Sequence, residues 1–159
     1  MTLFDRLNAQ RPWMEEERLV LDQVMRIAED VIAPAAVGYD KSGDYPETSM
    51  AALNKLGMNA IFVPEAYGGA LMSYRLYLEC VSIISAACAS TGIIYATNFH
   101  GMKPLIDLGT EEQKTRLLPR ISGGGLGSLA ITEPSAGSDA TGMKTRFTPD
   151  GDEIIIDGS

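Results

Sequence analysis

The stretch from Ser73 to about Ser90 limits the possible folds most. Its apolar residues Leu76, Cys80, Val81, Ile83, Ile84, Ala87 and Cys88 nearly circle a helix, so more than one side has to be covered by protein. Such a helix belongs at the centre of a bundle, and its neighbours read as partners. Val20, Val24, Ile27 and Val31 recur at steps of four, three and four, which predicts a helix from about Met14 to Ile32 with one stripe facing a core, ended by Pro34. Pro46 in a first turn, Met50, Leu53 and Leu56 at helical spacing, and Gly57 as a stop predict a short second helix. Pro64 and the paired Gly68 and Gly69 make Phe62 to Gly69 an ordered loop. From Ile93 to Leu108 the pattern is again helical, with Gly101 and Pro104 predicting a break or kink. Thr110 and Gln113 then form a capping-box pattern that opens a helix running to about Ile121.

After Ser122-Gly-Gly-Gly125 the hydrophobic period changes. Leu129 to Thr132 reads as a strand, and Thr145 to Thr148 and Glu153 to Asp157 flank the turn Pro149 to Asp152 as a hairpin. The expected fold class is therefore mainly α: an up-down helical bundle over residues 1–125, followed at 126–159 by the beginning of a β-domain. A sheet of so few strands cannot bury both edges and a face, so this second domain is expected to be incomplete. No internal repeat or low-complexity segment interrupts this plan.

Composition excludes several functions. A formal net charge of −8 leaves no basic field for nucleic acid, whose phosphates need clustered Lys and Arg. The longest apolar stretch, Val81 to Ala89, carries Ser82 and Ser85 and falls short of the roughly 20 residues that span a bilayer. Met1 to Arg18 has no apolar leader core and carries Asp5 and Glu15-Glu-Glu17, so a cytoplasmic protein is the default expectation. Cys80 and Cys88, eight apart in what reads as one helix, cannot bridge and match no metal spacing; buried reduced thiols are expected.

The chemistry concentrates in Leu129-Ala-Ile-Thr-Glu-Pro-Ser-Ala-Gly-Ser-Asp139, where a strand runs into a loop of hydroxyls and small residues. Such a loop lets backbone N–H groups approach an anionic ligand, and it is equally a polar turn with local Asx and Ser bonds. Composition alone leaves both readings open. Gly123 to Ser128 superficially suggests a dinucleotide loop, but it precedes a strand and ends in Ser128 where a third glycine is needed, so it reads as a linker. His100, the only histidine, has no second histidine or nucleophile beside it and reads as a packed or hydrogen-bonded structural residue. Tyr95, Phe99 and Met102 have the spacing of plain core, with an acyl-cavity wall as the alternative.

Thr132-Glu-Pro-Ser-Ala-Gly-Ser-Asp139 resembles the first signature of the acyl-CoA dehydrogenase family. Val63-Pro-Glu-Ala-Tyr-Gly-Gly69, Leu108-Gly-Thr-Glu-Glu-Gln-Lys114 with Leu118-Pro119, and the Asp-Gly-Asp hairpin ending in Asp157-Gly-Ser159 join it in the family's order. The resemblance implies an α-helical N-terminal domain and a central β-domain that, with a helical C-terminal domain, enclose FAD. It implies that Leu129, Ala130, Ile131 and Thr132 border the flavin ring, with Thr132 offering its hydroxyl and backbone. Gly137 and Ser138 approach the FAD pyrophosphate, and Ser138 also touches the CoA arm. Glu133 and Asp139 are expected to have structural roles only, because a carboxylate facing an anionic cofactor is unfavourable.

The reaction so implied is oxidation of the α,β bond of an acyl-CoA thioester to a trans-2-enoyl-CoA, with electrons passed on to a transfer protein by a homo-oligomeric enzyme. The family's base is a glutamate of the C-terminal domain, to which no position here corresponds, so no catalytic residue is assigned and the chain alone is expected to be inactive. No metal is expected. The loop Ala70-Leu-Met-Ser-Tyr74 departs from the family's usual glycine and leucine near the substrate mouth, which leaves substrate size open. Two other readings are a non-catalytic helical binding module and one subunit of a split flavoenzyme. Either way, uncovered apolar faces predict self-association or domain swapping.

Overall fold

The computed structural model describes residues 11–158. Met1 to Gln10, most of the segment read as lacking an apolar leader core, and Ser159 of the last motif lie outside the described residues. The chain divides into two compact units, one ending at Ser128 and the other starting at Leu129.

In the helical unit, α1 (Glu15–Ile27) passes through a π-helical turn (Ala28–Ile32) into α2 (Ala33–Ser42). Pro34 does not end the helix. The Ala33 N–H reaches back five residues to the Ala28 carbonyl, and the proline falls in the first turn of the new segment, where a missing N–H costs least. The buried stripe is Glu17, Leu21, Val24, Ala28 and Ile32; it keeps Val24 of the expected stripe, while Val20, Ile27 and Val31 are its half-buried flank.

Glu17 is a carboxylate in this apolar stripe with clear hydrogen-bond work. Its Oε2 accepts the Met14 N–H at 3.1 Å and its Oε1 accepts the Ser73 hydroxyl at 2.8 Å. Ser73 Oγ in turn accepts the Leu76 N–H at 3.2 Å. One side chain thus ties together the first turns of two helices whose N–H groups lack partners of their own.

The short helix α3 (Glu47–Lys55) buries Met50 and Leu53 as expected. Helix α4 (Tyr74–Ala87) packs against α1, α5 (Ala89–Leu108) and the π turn, burying Leu76, Tyr77, Cys80 and Ile84, while Leu78 and Ser82 stay exposed on its outer side. Cys88 is not inside this helix. Its extended backbone, φ −157° and ψ 113°, separates α4 from α5. Helix α5 runs without a break through Gly101 and Pro104. The capping box before α6 (Glu111–Ser122) forms as read: Thr110 N–H donates to Gln113 Oε1 at 2.9 Å and Gln113 N–H to Thr110 Oγ1 at 3.2 Å.

The loop between α3 and α4 is ordered by its backbone. Ala70, Leu71 and Met72 donate in turn to the carbonyls of Ala60, Val63 and Ile61, at 3.0, 3.0 and 2.6 Å. A Cβ on Gly69 would run into the Val63 carbonyl, so only glycine lets the chain pass here. Two residues on, Leu71 adopts φ 46°, the only positive φ at a non-glycine among the described residues, and its side chain is 62% exposed.

The second unit holds an antiparallel hairpin of β1 (Arg146–Asp150) and β2 (Glu153–Asp157), closed by Gly151 and Asp152. Strand β1 extends two residues further than expected, through Pro149, which pairs with Ile154. Hydrogen-bonded and non-hydrogen-bonded pairs alternate, so next to the closing pair Asp150 and Glu153 the proline takes a position whose N–H would point away from the partner strand. Phe147, Ile154, Ile155 and Ile156 are all exposed.

Two substitutions test this packing. Leu71→Gly relieves left-handed strain that no burial offsets and should raise stability by about 1 kcal/mol. Leu53→Ala, at a fully buried site, should lower it by about 3 kcal/mol. Denaturant unfolding with an unchanged slope measures both.

Candidate functional site

Leu129 to Thr132 joins no ladder among the described residues, which corrects the strand expected there. Hydrophobic alternation marks an extended segment, but a strand needs a paired neighbour, and β1 pairs only with β2. At the next residue the chain closes on itself: Glu133 and Ala136 exchange N–H to carbonyl bonds, both at 3.1 Å, around Pro134 and Ser135.

The Glu133 carboxylate is turned into the fold. Its Oε2 accepts the Lys144 N–H at 2.7 Å and its Oε1 the Thr145 N–H at 2.8 Å. Asp139 Oδ1 accepts the Thr141 hydroxyl at 2.7 Å and the Gly142 N–H at 3.1 Å, capping the short turn Ala140–Gly142. Both negative charges are thus met by donors of the same unit.

A cleft of about 490 Å3 lies in this unit, lined by Ala130, Ile131, Thr132 and Glu133 on one side and by Met143, Thr145, Ile156 and Gly158 on the other. Of the residues singled out from sequence, Ala130, Ile131 and Thr132 therefore meet at one concave surface. Leu129, Gly137 and Ser138 are exposed and do not line it. A Cβ added at Gly137 would meet nothing, so the space beside it is open. Met143, Thr145 and Ile156 were not picked out from sequence. Only a hairpin register, which sets the face of Ile156, could have indicated them.

The helical unit's candidates fall in the core. Tyr95 is buried with its hydroxyl donating to the Met58 carbonyl at 3.3 Å, and Met102 is buried. Phe99 lies edge-on to Phe62, centroids 4.0 Å apart, and stacks on Tyr77 at 5.1 Å. These contacts make a filled aromatic cluster. Of the two structural roles expected for His100, packed or hydrogen-bonded, packing does not hold: it is exposed, on the face of α5 away from Tyr95 and Met102. Both thiols are free and buried. Burial pushes the Cys80 thiol up to about 12. Burial acts on Cys88 in the same direction, but hydrogen bonds from Thr91 and Ser90 outweigh it and hold this thiol below its ordinary value. Among the described residues no helix is long and apolar enough to cross a membrane.

Residues 14–125 match the family model described as "Acyl-CoA dehydrogenase, N-terminal domain". The chain belongs to the acyl-CoA dehydrogenase family. It is 41% identical over 146 residues to the probable acyl-CoA dehydrogenase YngJ of Bacillus subtilis, covering 91% of this chain and 38% of that protein. It thus spans about two-fifths of the length of the curated relatives it matches. It is 31% identical, with a TM-score of 0.87, to a chain of a solved structure described as the electron transferring flavoprotein of Acidaminococcus fermentans, covering 93% of this chain and 40% of that one. A glutaryl-CoA dehydrogenase from Mycobacterium smegmatis in complex with FADH2 is 25% identical with a TM-score of 0.85, covering 96% and 40% respectively.

In this member of the family Glu133 has a directed electrostatic role. Hydrogen bonds from the Thr145 side chain and from the backbone N–H groups of Lys144 and Thr145 hold its carboxyl below the usual glutamate range. A depressed native pKa means that the ionised form stabilises the fold. Its contribution is complete above the ordinary glutamate pKa and is lost as pH falls through the lower native one. In Glu133→Gln one oxygen remains an acceptor and the other is replaced by a donor facing an N–H. The Lys144 and Thr145 amide resonances should then lose their acid titration, and one of the two amides should exchange faster, both readable by NMR.

Proposed function

We propose that this chain is the N-terminal portion of an FAD-dependent enzyme that oxidises the α,β bond of an acyl-CoA thioester to a trans-2-enoyl-CoA. The carrying observation is the cleft beside Thr132 in a unit whose nearest carboxylate, Glu133, is ionised and already engaged by backbone N–H donors. Its lining mixes apolar Ile131, Met143 and Ile156 with the hydroxyls of Thr132 and Thr145, and its one carboxylate is that same Glu133, held by the Lys144 and Thr145 N–H groups, which suits a flat ring with a polar edge. The donor set therefore fits a flavin. Supporting this are the family membership and the likeness to a dehydrogenase holding FADH2.

FAD, when bound, supplies the acceptor for the hydride leaving the β-carbon. The chain's own part is binding and orientation. Ala130, Ile131 and Thr132 border the ring, with Leu129 leading into them from outside the cleft and the Thr132 hydroxyl and backbone serving its polar edge. The exposed loop at Gly137 and Ser138 gives backbone and hydroxyl donors room to approach the pyrophosphate, and Ser138 also contacts the CoA arm. Glu133 keeps its charge away from these phosphates by facing Lys144 and Thr145. No residue of this chain is assigned as the base. The same reading includes residues 1–125 as the helical domain and 126–159 as the start of the β-domain. It also includes a cytoplasmic, homo-oligomeric enzyme that passes electrons to a transfer protein.

The test is a visible absorption spectrum of the protein purified from its source, followed by anaerobic addition of acyl-CoAs of different chain length. Bound flavin that bleaches is the expected outcome, with retention weakened about tenfold in Thr132→Ala. A folded protein that carries no flavin and takes none up would overturn the reading.

A further inference from the structure

The connection from α6 to the second unit, Gly123 to Ser128, has four glycines in six residues. Such a backbone loses more freedom on ordering than any other, so something has to hold it if it is to have one path. Three asparagines from three elements surround it. Asn54 of α3 faces Gly124, whose φ is +107°. Asn59 Nδ2 donates to the carbonyls of Ile121 and Gly125, each at 3.4 Å. Asn98 of α5 accepts the Gly127 N–H on its Oδ1.

Each of the three keeps one buried amide atom without a hydrogen-bond partner, the Oδ1 of Asn54 and Asn59 and the Nδ2 of Asn98, and Asn98 is the one that accepts a backbone N–H of the connection. It is only 2% exposed, and its Nδ2 is buried without a hydrogen-bond partner. A buried orphan donor costs stability, and an apolar side chain of similar shape would avoid that cost, so the acceptor on the same side chain has to serve a purpose. One turn on, Gly101 admits the connection to the helix surface. A Cβ there would meet the backbone of Gly127 and Ser128, and a Cβ on Gly127 would lie 3.2 Å from the Asn98 carbonyl oxygen and 3.3 Å from Gly101 Cα. Two glycines facing each other and one side-chain acceptor thus dock backbone on backbone.

We propose that Asn98 is a positioning residue: with Gly101 it clamps Gly127 and Ser128 against α5 and so fixes the end of the helical unit, immediately before Leu129 to Thr132 in the chain. The link to the cofactor rests on the flavin reading above, whereas the clamp does not. Asn98→Leu keeps the shape, removes the orphan donor and abolishes the acceptor, so the loss and the gain in stability oppose each other. The melting temperature should change little, while amide exchange at Gly127 and Ser128 speeds up by about tenfold or more. Gly101→Ala gives the same readout independently and decides the matter if Asn98→Leu does not fold. Unchanged exchange at Gly127 in the folded variant, with or without a fall in melting temperature, would show an ordinary core residue and overturn the clamp. Since no flavin enters this experiment, faster exchange in a protein that binds none supports the clamp and removes only its link to the cofactor. Flavin binding with unchanged exchange leaves the functional reading intact and overturns the clamp.

Discussion

Everything in the helical unit leans on the buried stripe of α4. Leu76, Cys80 and Ile84 have no exposed surface, and Tyr77 next to them is nearly as buried. Full burial of each large apolar side chain stabilises by roughly 1.5–3 kcal/mol, so this one stripe is comparable to the net stability of a whole domain. Its partners are α1 and the π turn, more than forty residues back in the chain, and α5, which follows it directly. The Glu17 to Ser73 hydrogen bond then sets where the stripe begins, because it joins the N-terminal turn of α1 to that of α4.

The second unit works by a different principle. Its large apolar residues are exposed and its order comes from polar groups: Glu133 holding the approach to β1, Asp139 capping a turn, and the Glu133 to Ala136 closure between them. Carboxylates that accept backbone N–H bonds fix a loop in one shape without a core beneath it. A loop so held can present Ala130 to Thr132 on one side of a cleft while the chain around it stays short.

Legibility followed the type of signal. The helices, the capping box at Thr110 and the hairpin were readable because period and cap chemistry are local. Pro34 misled, because the π turn that accommodates it involves no unusual residue: Ala28 to Ile32 are ordinary helix formers. The continuity of α5 through Gly101 was hidden for a related reason, since that glycine answers to Gly127, 26 positions later, and not to its own helix. The signature from Thr132 to Asp139 was plain in the sequence, whereas the far wall of the cleft, Met143, Thr145 and Ile156, depended on a fold that periodicity does not specify.

The π turn has a geometric consequence of its own. It carries one residue more than an α-helical path between α1 and α2 would need, and each residue of an α-helix accounts for about 100° of rotation. Loss of a single residue from Ala28–Ile32 would leave a continuous, well-formed helix by every local criterion. It would nevertheless swing the half-buried Ala36 and its neighbours on α2 around the axis by more than a quarter of a turn. The interlocking of this helix with the bundle therefore depends on residue count as much as on residue type, and relatives that share the bundle are expected to tolerate substitutions in the turn far more readily than deletions.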